Sequence, residues 1–175
     1  MLQSPFGVLT TNVVLSVKLD GAAVALTYVN GSLQGALTRG DGIHGRDILD
    51  KMLHLVPNTI GLQGIVQVTG EIVAPETIEN ARNYAAGALN LKNISEFMDR
   101  EILFYAHGLE DDGDYMGDVE YGDTWQTRME FLKDQGFNTV HTHIAIDNRC
   151  TIDMSDNITN LESCCFSRTV GLYIG

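Results

Sequence analysis

The first third of the chain alternates hydrophobic and polar residues in short runs that are typical of β-strands. The β-branched run VVLSVKL predicts a strand over 13–19. Two further strand-like runs, 22–29 and 33–38, flank Asn30-Gly31. Asn-Gly favours a type I′ turn, in which both turn residues need a positive φ, so these runs predict an antiparallel hairpin.

The later segments change to a helical period and back. Residues 46–56 have helical spacing up to Pro57, and residues 76–86 also predict a helix. Residues 124–135 predict an amphipathic helix that ends at Gly136. Further strands are predicted over 65–73, 101–107 and 138–146. Strands outnumber helices and the clearest pair is antiparallel, so the predicted class is α+β rather than a doubly wound parallel sheet.

Small and aromatic residues in these predicted helices favour packing roles. Trp125, Phe131 and Leu132 are expected to pack a helix on the sheet rather than to bind a cofactor. The small residues over 85–87 are expected to permit close helix packing.

Composition narrows the class of protein further. The chain has 175 residues and 44% hydrophobic residues, which is ordinary for one globular domain. It carries 11 basic and 23 acidic residues, a formal net charge of −12, so we expect weak binding to nucleic acid outside a local basic pocket. No apolar run approaches the roughly 20 residues of a membrane span. We expect a cytoplasmic protein without a membrane partner.

Three groups of potential metal ligands do not predict a metal site. Residues 110–123 hold seven acidic residues, five of which fall at positions 1, 3, 7, 9 and 12 of an EF-hand-like count, but Met116 stands at position 5, which favours a solvated acidic loop. His141 and His143 share one face of a predicted strand, and two histidines underdetermine a site. Without a C-x-x-C spacing, we expect reduced thiols at Cys150, Cys164 and Cys165.

Candidate chemistry begins at the segment KLDG, residues 18–21. Lys18 and Asp20 are two residues apart and point to one face of a strand, and Gly21 permits close approach of a backbone or ligand. Such a lysine acts as a nucleophile only when its amine is neutral, which partial burial or neighbouring cations promote. A surface lysine in a turn is the alternative interpretation.

The segment TRGDGIHG, residues 38–45, includes the spacing G-x-G-x-x-G. It follows one strand of a tight hairpin rather than the first strand of a βαβ unit, so we reject a Rossmann dinucleotide site. A glycine-rich turn with Arg39 that opens a helix still predicts a place for a phosphate or ribose.

Together with later segments, these two motifs resemble the adenylation domain of NAD-dependent DNA ligases. The resemblance covers roughly residues 13–145, and its later segments are VTGEIV (68–73), ARNYAAGAL (81–89), REILFYAHG (100–108) and DTWQTRMEFLKDQGF (123–137). It implies the nucleotidyltransferase fold of that domain, with antiparallel sheets flanked by helices and a relation to ATP-grasp folds.

The resemblance also implies roles for particular residues. Lys18 would attack the α-phosphate of NAD, release nicotinamide mononucleotide (NMN) and hold AMP as a phosphoramidate. Asp20 would position the lysine and the nucleotide. Arg39 and Glu71 would contact NAD or AMP, and Arg82 would contact DNA or phosphate.

The reaction that the resemblance implies also involves a metal ion and DNA. Mg²⁺ would offset charge on the pyrophosphate. In a complete enzyme of DNA repair and replication, AMP would then pass to the 5′-phosphate of nicked double-stranded DNA.

Several positions depart from the family pattern. Ser16 stands at the adenine-contacting position where the family has glutamate, and Asn90 stands where a second arginine is common. No lysine follows Lys133. We therefore expect a partial, truncated adenylation domain over 1–149 and an irregular tail over 150–175, with no OB, zinc-finger, helix-hairpin-helix or BRCT region.

Three functions remain open at this point. The leading one is an NAD-dependent DNA ligase nucleotidyltransferase that uses Lys18. The second is a non-catalytic or degenerate nucleotide-binding module that has lost the downstream lysines. The third is an interaction or structural protein without a ligand, which the acidic charge favours.

Overall fold

The computed structural model describes residues 13–39, 45–111, 124–140, 142–145 and 168–173, which form two β-sheets and four helices. The strands are β1 (Val13–Leu19), β2 (Ala22–Val29), β3 (Ser32–Thr38), β4 (Ile65–Val73), β5 (Leu103–Asp111), β6 (Asn138–Thr139), β7 (Thr142–Ala145) and β8 (Arg168–Tyr173). The helices are α1 (Leu49–Met52), α2 (Ala81–Leu89), α3 (Ile94–Met98) and α4 (Trp125–Asp134). The fold therefore mixes helices with mainly antiparallel sheets, as the sequence predicted.

The larger sheet has five strands in the order β3-β2-β4-β5-β6. All neighbours are antiparallel except β5 and β6, which are parallel. Asn30 and Gly31 join β2 to β3 with φ values of 50° and 79°, which confirms the predicted hairpin turn with two positive φ angles. The Asn30 amide also donates to the Gly64 carbonyl at 2.8 Å and so fixes the turn to the start of β4.

The smaller sheet has three strands in the order β7-β1-β8. β1 confirms the predicted strand over 13–19, and it pairs antiparallel with both neighbours. The single strand predicted over 138–146 is wrong, because β6 joins the larger sheet and β7 joins the smaller one. β8 lies within the stretch that was expected to be irregular, and there Lys18 pairs with Thr169.

One hydrophobic cluster forms the core and lies on the five-stranded sheet. Leu26, Val68 and Phe104 contribute fully or almost fully buried side chains from its three central strands. Leu132 of α4 is fully buried, and Trp125 and Phe131 are partly buried against the cluster, as their packing role predicted. Alternate positions of each strand face this core, which is why the period of two predicted these strands well.

Two predicted helices begin or end elsewhere in the structure. The helix predicted over 46–56 is only α1, since the chain continues as turns after Met52. The predicted bounds of the helix over 76–86 are wrong. Asn80 has a left-handed φ of 56°, and α2 begins after it and ends at Leu89. The predicted helix over 124–135 is confirmed as α4, whose N-cap Thr124 accepts a hydrogen bond from the Thr127 amide.

The small residues of α2 have different surroundings. Ala85 is fully buried and Ala86 is half-buried, but Gly87 is exposed, and a Cβ there would contact nothing within 4 Å. The close-packing interpretation is therefore correct for Ala85 and wrong for Gly87.

Several sequence expectations concern side chains outside the described residues. These are most of the acidic stretch 110–123, the side chains of His141 and His143, and Cys150, Cys164 and Cys165. Among the described residues, no group of three or more potential metal ligands comes together. None of the helices in the described part of the chain is long and apolar enough to cross a membrane.

Candidate functional site

A cleft of about 710 Å³ lies where β2, β3 and β4 approach α2. Small and apolar residues make part of its wall: Gly21, Ala22, Ala23, Ala86 and Leu89. Its polar side chains are Thr38, Arg39, Arg46, Glu71, Arg82 and Asn90. Three arginines against one glutamate make the cleft basic, although the whole chain has a net charge of −12. This is the kind of local basic pocket that the composition had left open.

Glu71 lies on β4 at the inner side of the cleft. Its carboxylate oxygen Oε1 accepts a hydrogen bond from the Gly21 amide at 3.2 Å. Burial raises the pKa of Glu71, and the Gly21 hydrogen bond together with the charges of Arg82 and Arg39 opposes that rise. The half-buried carboxyl group is thus held at a fixed place, where it can accept a hydrogen bond from a ligand hydroxyl.

Gly21 lies in the short link between β1 of the smaller sheet and β2 of the larger sheet. A Cβ at this position would lie 2.1 Å from the carbonyl oxygen of Ile72 and 2.9 Å from the Glu71 side chain. Only glycine permits this close approach, as the KLDG motif predicted. The close approach holds the segment between β1 and β2 against β4.

Arg82 extends from the first turn of α2 into the cleft. Its Nη1 atom lies 3.3 Å from Oδ1 of Asp20, and these two atoms form both a hydrogen bond and an ion pair. Both side chains are well exposed, so the pair orients the groups more than it stabilises the fold. The structure therefore brings two of the predicted site residues into direct contact.

Arg39 lines the cleft just after β3. Its backbone amide donates to the Ala23 carbonyl at 3.0 Å, which extends the pairing of β2 and β3 by one step. Its side chain is exposed, so the guanidinium is accessible to a ligand.

Lys18 and Ser16 lie on β1, outside the set of residues that line the cleft. Lys18 is exposed and precedes the cleft residue Gly21 by three positions in the chain. Ser16 is buried, with 7% of its surface exposed. The predicted contact of Ser16 with a nucleotide stays a prediction.

The sequence alone does not show that two residues of the cleft, Arg46 and Asn90, contact each other. Arg46 donates through Nη1 to Oδ1 of Asn90, and both side chains line the cleft. The signal in the sequence was a cation directly after the glycine-rich segment. Its partner at the end of α2 is 44 residues away, so only the fold reveals the pair.

The fold and the cleft define a mixed α/β domain with a basic site suited to an anionic ligand. The chain matches the family described as NAD-dependent DNA ligase adenylation domain over residues 3–164. It therefore belongs to that family.

Curated relatives agree with this assignment. The DNA ligase of Sulfurovum sp. (strain NBC37-1) is 32% identical over 152 residues, which cover 75% of this chain and 22% of the relative. DNA ligase 1 of Deinococcus deserti is 33% identical over 159 residues, covering 79% and 22%. The DNA ligase of Tropheryma whipplei (strain Twist) is 35% identical over 112 residues, covering 54% and 18%. The chain thus spans about a fifth of the length of the relatives that it matches.

Proposed function

We propose that this chain carries the adenylation step of an NAD-dependent DNA ligase, with Lys18 as the nucleophile. The observation that carries the proposal is the basic cleft, which opens at Gly21, three residues after Lys18. Membership of the adenylation-domain family supports it. We further propose the nucleotidyltransferase fold of that family, related to ATP-grasp folds.

In the proposed step, the neutral amine of Lys18 attacks the α-phosphorus of the AMP half of NAD. A P–N bond forms, and the P–O bond within the diphosphate breaks. NMN leaves with the electron pair of the broken bond, and the proton of the lysine nitrogen passes to solvent. The product is AMP joined to Lys18 as a phosphoramidate.

The donor set of the cleft fits a nucleotide. Guanidinium groups bind phosphate oxygens through charge-assisted hydrogen bonds, and Arg39 and Arg82 both present them to the cleft. Glu71 can accept a hydrogen bond from a ribose hydroxyl while the Gly21 amide holds it in place. Asp20 acts through its contact with Arg82, which it orients.

The residues fit Mg²⁺ only together with a nucleotide. Within the described part of the chain, no cluster of three metal-binding side chains is present. Mg²⁺ commonly takes one or two carboxylates plus substrate phosphates, and Glu71 in the cleft and Asp20 beside Arg82 offer such carboxylates. When bound, the ion would neutralise charge on the diphosphate.

The proposal extends to the whole enzyme of which such a domain is part. There, AMP would pass from Lys18 to the 5′-phosphate of a nick in double-stranded DNA, as in cytoplasmic DNA repair and replication. The net charge of −12 predicts that this chain alone binds nicked DNA weakly.

Intact mass spectrometry after incubation with NAD and Mg²⁺ tests the nucleophile. We expect a gain of one AMP moiety in the native chain and none in Lys18→Arg, which keeps the charge but has no amine of comparable nucleophilicity. Lys133→Arg, on the exposed end of α4, is the matched control and should gain AMP as the native chain does.

Two results would overturn the proposal. One is an adduct that persists in Lys18→Arg, since another residue would then be the nucleophile. The other is a folded native chain that binds NAD by calorimetry and gains no mass, which would make this a non-catalytic nucleotide-binding module.

A further inference from the structure

We infer that Arg46 is a phosphate-binding residue of the cleft and that Asn90 positions its guanidinium. The inference deepens the proposed function, because it rests on the cleft accepting a nucleotide. It does not depend on Lys18 forming an adduct.

The backbone at Arg46 is fixed against the end of β3. The Arg46 amide donates to Oγ1 of Thr38 at 3.1 Å, and the Thr38 amide donates to the Arg46 carbonyl at 3.0 Å. The preceding Gly45 allows this approach, since a Cβ there would lie 2.6 Å from the Thr38 carbonyl oxygen. The side chain of Arg46 therefore starts from a defined point at the edge of the cleft.

Asn90 fixes the other end of that side chain. It is the C-cap of α2, and its Oδ1 accepts from Nη1 of Arg46. A cation at a helix C-terminus is also favoured by the helix dipole. Arg46 is thus held at its backbone and at its guanidinium while its side chain lines the cleft.

The partner of Arg46 leaves its charge intact. Arg82 contacts the carboxylate of Asp20, which offsets the positive charge at that end of the cleft. Asn90 is neutral, so it orients Arg46 without offsetting the charge. A guanidinium has five N–H donors, and the contact with Asn90 uses one nitrogen of the fork.

These features select the ligand chemistry. A fixed, charged, planar fork matches phosphate oxygens better than a neutral hydroxyl or a base edge. The carboxyl group of Glu71 suits a ribose hydroxyl in the same cleft. We assign to Arg46 the binding of the phosphate oxygens of a dinucleotide such as NAD.

Calorimetric titration with NAD and with adenosine tests the assignment. We expect Arg46→Gln to weaken NAD binding by about tenfold, as for loss of a charged hydrogen bond, and to leave adenosine binding unchanged. Arg46→Lys keeps the charge without the fork and should lose about threefold. Lys133→Gln removes the same charge away from the cleft and should match the native chain.

Removal of the acceptor tests the role of Asn90. Asn90→Ala keeps the charge of Arg46 and removes the oxygen that orients it, so we expect NAD binding to weaken by about threefold and adenosine binding to stay unchanged. An unchanged NAD affinity of folded Asn90→Ala would overturn the positioning role. Thermal unfolding by circular dichroism shows whether each variant is folded.

The outcomes separate this inference from the proposed function. Equal NAD affinities of folded Arg46→Gln and Lys133→Gln would overturn the assignment, as would an equal loss for NAD and adenosine. A native chain whose NAD binding depends on Arg46 and that gains no AMP would support the assignment and reject the adenylation step.

Discussion

The two sheets carry residues with different proposed roles. The five-stranded sheet holds the hydrophobic core and carries Glu71 on β4 and Arg39 at the end of β3. The three-stranded sheet carries Lys18 on β1. The groups proposed to recognise the ligand thus rest on the packed five-stranded sheet, whereas the proposed nucleophile comes from the other sheet. Asp20 and Gly21 link β1 to β2, and both contact residues that line the cleft.

The largest effect is expected from breaking the framework at Phe104. This β5 side chain is 2% exposed, and its ring lies 6.1 Å from the ring of Phe137. Phe104→Ala should lower the free energy of unfolding by about 3–5 kcal/mol, measured by urea denaturation. Met98→Ala, at a side chain 59% exposed, should change it by less than about 0.5 kcal/mol. A loss below about 1 kcal/mol at Phe104 would contradict the packed framework.

A smaller effect is expected at the link between the sheets. In Gly21→Ala the new Cβ would overlap the Ile72 carbonyl, so we expect a loss of about 2–3 kcal/mol in unfolding free energy. Gly87→Ala provides the opposite control: nothing lies within 4 Å of its Cβ, and alanine in a helix should stabilise by about 0.5–1 kcal/mol. Equal effects of the two substitutions would show that the link is not closely packed.

The smallest effect concerns the protonation of Glu71. Burial raises its pKa, so its contribution to stability is full below the ordinary glutamate value near 4.3 and is lost as pH rises through the raised value. Glu71→Gln removes this dependence and can still accept from the Gly21 amide. The unfolding free energy of Glu71→Gln minus that of the native chain should therefore be larger at pH 7 than at pH 4.

Urea unfolding at the two pH values measures this difference. Glu101→Gln is a suitable control, because that side chain is exposed and lies outside the cleft. A relative stability of Glu71→Gln that falls between pH 4 and pH 7 would contradict the burial of the carboxyl group.

The sequence predicted best those elements whose determinants are local. The strands over 13–19, 22–29 and 65–73 have the predicted bounds, because each shows β-branched or alternating residues next to a turn signal. The start of α2 was missed, since a left-handed Asn80 has no distinct signature in the sequence. The division of 138–146 between two sheets depends on strand pairing far along the chain, which periodicity does not record.

The sequence predicted which residues form the site better than it predicted the contacts between them. The family resemblance pointed to Arg39, Glu71 and Arg82, and the structure brings all three to one cleft. The contact of Arg46 with Asn90 depends on how α2 packs against the sheet, so it could not be read from the sequence.

The single tryptophan of the chain gives this molecule an internal optical reporter. The indole Nε1 of Trp125 donates to the His107 carbonyl at 3.1 Å, so its emission follows the docking of α4 on β5. β5 is the neighbour of β4, which carries Glu71. A spectral change on adding nucleotide would mean that ligand binding alters the contact between α4 and β5, one strand beyond the cleft. If calorimetry shows binding while the emission stays constant, the ligand binds without rearranging the contact between α4 and β5.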